Sequence, residues 1–197
     1  MRRIDAYFIL KYEGIGPSTR YLARKTTQMK KIILTYGIIA GIMVSALMLL
    51  GIFINKDHDL TLGMIYGYAT MIMAFSMIYV AIRQFRNQFM NGKISFGKAL
   101  LIGLGITLIA STFYVLTWEI EYKYVFPDFM QGYAKASLES MKTSGASAAS
   151  IQQATSEMDE MVKSYNDPLY RIPLTYAEIL PVGVLISLIC AFILKRK

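Results

Sequence analysis

Residues 32–54 read IILTYGIIAGIMVSALMLLGIFI, 23 positions without a charge, preceded by Lys30-Lys31 and followed by Asn55-Lys56-Asp57. About 20 apolar residues in a helix cross the roughly 30 Å hydrocarbon core of a bilayer. Inside that core every backbone polar group needs a partner, and a helix supplies one from its own chain. The stretch therefore reads as a membrane span. Working outward, Leu60–Ile82 repeats the pattern over 23 uncharged residues and Ala99–Trp118 over 20. Ile179–Leu194 is apolar but only 16 residues long. The expected fold is all-α: a four-helix transmembrane bundle with spans at about 32–54, 60–82, 99–118 and 172–194.

Composition agrees. The chain has 197 residues, 55% of them hydrophobic and 17% charged, with a mean hydropathy of +0.42. A soluble domain carries about 25% charged residues. The net charge of +8 would suggest nucleic acid in a soluble protein. Here the basic residues flank spans, where they set orientation and meet anionic lipid, so the bilayer is the expected partner and no nucleic acid is implied. One cysteine, Cys190, and one histidine, His58, leave no intramolecular disulfide and no zinc site of the usual kind. The sequence offers no catalytic residues, no metal ligands and no cofactor motif.

Loop charges orient the bundle. Residues 83–98 contain Arg83, Arg86, Lys93 and Lys98 with no acid, and the chain closes on Lys195-Arg196-Lys197. The connection 119–171 has eight acidic residues, Glu119 and Glu121 among them, against five basic ones. By the positive-inside rule both ends are expected in the cytoplasm and the 119–171 connection outside.

The 16-residue fourth stretch is too short for the core at about 1.5 Å per residue. Its helix must extend back towards 172, which carries Glu178 into the apolar layer or its edge. Pro181 follows three residues later and frees a backbone carbonyl. A carboxyl at that depth is a functional candidate; buried, it is protonated or bonded to a tyrosine. At the water surface it is a residue near the helix start, facing the positive end of the dipole. Tyr66 on the second span and Tyr114 and Trp118 on the third approach the same boundary, beside Glu119. With Tyr68, Tyr122, Tyr124, Tyr170 and Tyr176 they read as an interfacial aromatic belt, with a ligand platform as the alternative.

Small residues recur four apart in every span: Gly37, Gly41 and Ser45; Gly63 and Gly67; Ala99 and Gly103; Gly183, Ser187 and Ala191. Such stripes let helix backbones approach closely, within one chain or between copies, so a homo-oligomer stays open. The segment at about 127–166 is too long for a bare loop. Met130, Ala134, Leu138 and Met141 mark one helix face, and Ile151, Met158 and Tyr165 another, with a Gly145 turn between them. This predicts an extracytoplasmic αα-hairpin between spans 3 and 4, a surface for a protein partner. Residues 1–28 differ in character from the rest. Met29-Lys30-Lys31 reads as a natural start, which makes 1–28 a non-native extension or a cytoplasmic tail and 29–197 a single membrane domain.

Lys30-Lys31 with Tyr36-Gly37, the run Asn91-Gly92-Lys93-Ile94-Ser95-Phe96-Gly97-Lys98, Tyr114 to Tyr122, Phe126-Pro127-Asp128-Phe129 and Glu178-Ile179-Leu180-Pro181-Val182-Gly183 carry a resemblance. From Met29 to Lys197 the chain resembles the domain of unknown function 4199 family. The resemblance implies a small bacterial multi-pass membrane protein and no particular activity. The expected function is non-enzymatic: a scaffold, sensor or partner-binding protein. The alternatives are a small oligomeric transporter or proton-linked carrier using Glu178, and a membrane enzyme acting on lipid. The absence of a histidine or acidic cluster on the inner side speaks against the enzyme.

Overall fold

The computed structural model describes residues 17–54 and 60–196, and the described residues form six helices and no strand. These are α1 (Pro17–Ile54), α2 (Leu60–Phe89), α3 (Phe96–Tyr124), α4 (Phe129–Thr143), α5 (Ala148–Tyr165) and α6 (Pro168–Leu194). Within them Ala23–Ile54, Thr61–Phe89, Phe96–Tyr124 and Pro168–Leu194 are long and apolar enough to cross a membrane. The chain is thus built as a membrane protein with four spans. The loop that holds Lys56 and His58 lies outside the described residues. α1 runs through Met29 without a break.

α3 is the central helix. It packs along α1 on one side and α6 on the other, and α2 closes the bundle against α1 and α6. The core holds Met71, Phe75, Ile78 and Phe85 of α2, Ile102 and Ile106 of α3 and Ile179 of α6, each at most 2% exposed. The outward faces are as apolar as the core: Leu34, Phe53, Ile65, Leu108, Leu185 and Phe192 are all exposed. Such a surface is stable only where lipid is the solvent.

Close approach between helices uses the predicted small residues. A Cβ built on Gly183 would collide with Thr107 Cγ2 and lie 2.8 Å from Phe75 Cζ, so only glycine lets α6 meet α2 and α3 there. Gly103 faces Ser187 in the same way, and Gly37 and Gly41 receive the side chains of Ile109 and Phe113. Gly67 has open space around it, so its place in the stripe serves no contact within the described chain.

The two ends of the bundle differ. At the basic end, Asn91 and Gly92 turn the chain with positive φ, and Ile94 forms an antiparallel bridge with Arg196. Ile94 N–H donates to Arg196 O at 3.0 Å, Arg196 N–H donates to Ile94 O at 2.9 Å, and Arg86 Nη1 donates to Leu194 O at 3.3 Å. At the opposite end α4 and α5 pack as a hairpin through the Gly145 turn, where φ is +79. Ser147 caps α5 by accepting from Ser150 N–H at 3.1 Å. The hairpin rests on the bundle only at its base, where Met130 and Tyr165 join Tyr122, Trp118 and Phe129.

Candidate functional site

A cluster of buried charged and polar side chains gathers at the hairpin end, between α3, α5 and α6. α3 continues past Trp118 to Tyr124, so Glu119, Glu121 and Tyr122 sit on a spanning helix rather than in a loop. α6 begins at Pro168, with Asp167 as N-cap accepting from Leu169 N–H at 2.9 Å. This start sets Arg171 on the first turn of α6, facing α3.

Arg171 is 5% exposed and organises the site. Its Nε donates to Glu119 Oε1 at 2.7 Å and its Nη2 to Glu119 Oε2 at 2.6 Å, the two-pronged geometry for which guanidinium suits carboxylate. Its Nη1 donates to the Tyr165 carbonyl at 2.8 Å, and its guanidinium lies 4.1 Å from the centre of the Tyr122 ring. One side chain therefore ties α3, the last residue of α5 and the start of α6 together. Around it the aromatic rings interlock. Trp118 Nε1 donates to Tyr165 Oη at 2.9 Å, and Tyr122 Oη donates to Asn166 Oδ1 at 2.8 Å. Phe129 meets Trp118 edge-on at 4.9 Å, and Tyr165 meets Tyr122 edge-on at 5.4 Å. Burial pushes the Tyr165 phenol above its ordinary value, so it stays a neutral hydroxyl.

Below this clamp a groove of about 350 Å³ opens on the surface of α6, lined by Tyr165, Leu174, Thr175, Ala177 and Glu178. Glu178 is exposed at its wall. At about 1.5 Å per residue it lies about 24 Å along the helix from Leu194, inside a 30 Å apolar layer measured from that end. The Glu178 carboxyl lies within electrostatic range of the Tyr114 hydroxyl, and Glu121 is the next acid in that range. Glu121 is 4% exposed, and its Oε1 has no hydrogen-bond partner. Pro181 has no N–H to give to the carbonyl of Ala177, which so lacks its usual helical donor. Thr175 Oγ1 donates to Arg171 O at 2.9 Å.

Deeper in the α3–α6 interface lies a second polar feature. Thr107 Oγ1 and Ser187 Oγ pair at 3.2 Å, both fully buried, and Ser111 Oγ is buried with no partner. Among the described residues no group of three His, Cys, Asp or Glu side chains could hold a metal ion.

A family model described as protein of unknown function, DUF4199, matches residues 35–196. The chain belongs to the DUF4199 family. Neither a curated protein nor a solved structure matches it. The DUF4199 match takes in the clamp, the groove and the hairpin, and leaves the first turns of α1 outside.

Of the sequence candidates in this DUF4199 chain, Glu178, Tyr114, Trp118 and Glu119 share one end of the α3–α6 interface. Tyr66 does not join them. It donates to Leu47 O at 2.7 Å and its ring covers Gly51, so it fastens α2 to α1. The aromatic belt divides. Tyr68, Tyr124 and Tyr170 are exposed, as a belt requires, whereas Tyr114 and Tyr122 are each 7% exposed and belong to the packed interior. Tyr176 is half-buried and donates to Thr112 Oγ1 at 3.0 Å. Sequence reasoning missed Arg171, Tyr165 and Thr175. The available signal was Arg171 itself, a cation just inside the α6 sequence and one helix turn from Thr175.

Proposed function

We propose that this protein is a non-enzymatic sensor of a bacterial inner membrane, with both ends of the chain in the cytoplasm and the hairpin outside. The basic loop 83–98 and the basic tail support that orientation. In this reading the groove beside Glu178 receives a ligand and the α4–α5 hairpin reports its occupancy to a protein partner or a second copy.

One observation carries the proposal: Tyr165 belongs to both parts. It lines the groove, ends the hairpin helix, accepts from Trp118 and lends its carbonyl to Arg171. A group that moves Tyr165 from below acts on the base of α5. The test needs no knowledge of the ligand. Ala177→Phe fills the groove from its own wall. Hydrogen exchange across 148–166 should then change relative to the parent protein in nanodiscs, while exchange at the basic end stays constant. Unchanged hairpin exchange in a folded Ala177→Phe protein would refute the coupling.

A second reading, a small oligomeric proton-linked carrier using Glu178, is favoured by one observation. Ser111, Thr107 and Ser187 continue a line of hydroxyls from Tyr114 into the apolar layer. It predicts proton flux in liposomes that Glu178→Gln abolishes. Liposomes that stay tight to protons would eliminate it.

A further inference from the structure

The groove is short of positive charge. Glu178 has no ion-pair partner among the described residues, and the one arginine at this end is held in two-pronged contact by Glu119. Glu121 adds a second, buried carboxyl within range of the same tyrosine, with one oxygen unpartnered. The groove lining thus holds one carboxyl and no cation, in a place where an uncompensated carboxylate is costly. The residues that line the groove bring one carboxyl, Glu178, the neutral hydroxyls of Thr175 and Tyr165, and no cation. Its remaining wall is Leu174, and its open side lies on the exposed face of a spanning helix, where the neighbour is lipid.

Each feature narrows the occupant. At about 350 Å³ the groove is far larger than the ~30 Å³ share of one water, so it takes a group of several heavy atoms rather than a lone proton. A hard metal ion asks for six or more oxygen ligands, and the described residues bring no acid or histidine cluster together. A primary ammonium carries three donors and one positive charge, which several acceptors and one carboxyl satisfy. Entry from the lipid side and the Leu174 wall call for an apolar chain on that nitrogen. An aminophospholipid would bring a phosphate close behind its ammonium, next to the Glu178 carboxyl, with Arg171 already engaged. We infer that the groove beside Glu178 binds a free lipophilic primary amine, its ammonium on the Glu178 carboxyl and its alkyl chain along Leu174 into the lipid. This rests on the groove being a binding site, and it names what the site takes.

Trp118, the only tryptophan in the chain, reports on the site because its indole N–H is bonded to Tyr165 in the groove wall. Full-length protein in phosphatidylcholine nanodiscs is titrated with dodecylamine, dodecanol and dodecyl sulfate while Trp118 emission is followed. A separate preparation contains phosphatidylethanolamine. The expected result is a saturable change with dodecylamine alone. In Glu178→Gln the affinity should fall about tenfold or more, the loss of a charged partner. Ala177→Phe, which keeps the carboxyl and fills the space, should weaken binding as well. An equal response to dodecanol, or full affinity in Glu178→Gln, would overturn the amine. A matching response to phosphatidylethanolamine discs would overturn the free amine as its source. Hairpin exchange recorded in the same samples separates the two claims. Amine binding with a silent hairpin removes the sensor and keeps the ligand. A hairpin that answers to Ala177→Phe without amine selectivity does the reverse.

Discussion

Replacing Arg171 by Met tests whether one side chain holds the hairpin end together. The change removes two charge-assisted hydrogen bonds to Glu119 and one to the Tyr165 carbonyl, together with the ring contact on Tyr122. Breaking a fully buried ion pair costs about 3–5 kcal/mol, because the surviving charge is left without a partner. Glu119 keeps 21% of its side-chain surface exposed, so water hydrates part of the charge left behind. Discounted for that access, Arg171→Met should destabilise by about 2–4 kcal/mol. Glu119→Gln leaves Arg171, more deeply buried, with a neutral acceptor and should cost about 2–3 kcal/mol. The two residues act as one unit, so the double variant should fall short of the sum by about 1–3 kcal/mol. Unfolding in detergent, followed by Trp118 emission at this end and by helical circular dichroism overall, reads all three variants. Strict additivity, or a single variant within about 0.5 kcal/mol of the parent, would show that the pair is an ordinary surface contact and refute the clamp.

Three further outcomes follow from the geometry. Gly183→Ala should cost about 1–3 kcal/mol by overpacking against Thr107 and Phe75, whereas Gly67→Ala, with nothing near it, should be neutral or slightly stabilising on the same unfolding curve. Glu178→Leu takes the polar neighbour away from the Tyr114 hydroxyl and should cost about 1 kcal/mol, and Glu178→Gln should restore the loss; equal stability of the two variants would sever Tyr114 from Glu178. For orientation, a cysteine at Ser147 should react with an impermeant thiol reagent in cells with a permeable outer envelope, and one at Asn91 should not. Labelling at Asn91 alone would invert the topology.

The spans were legible because a bilayer imposes a length on apolar runs, and residues 32–54 meet it without a charge. Glu178 was legible for the same reason in reverse: the run behind it was too short. Gly37, Gly41, Gly103 and Gly183 were legible as packing residues, since small side chains four apart lie on one helix face. Gly67 shows the limit of that signal, because spacing gives the stripe but not what it faces. The clamp was not legible. Glu119 and Arg171 stand 52 positions apart, and nothing local distinguishes them from solvated loop charges. Glu121 was counted with the acidic loop, yet α3 runs on past it and buries it. Helix ends near a membrane surface are set by tertiary partners as much as by hydropathy.

Among the described residues the hairpin's packed cluster with the bundle lies at its base, which gives it the form of a lever. Its fulcrum is Tyr165, and its arm is the 18 residues of α5, ending in the solvent-exposed Gly145 turn. At about 1.5 Å per residue the arm is about 27 Å long, so a tilt of about 10° at the fulcrum swings the tip by roughly 5 Å. A small tilt at the base would thus become, at the far end, a displacement about as wide as a helix turn is tall.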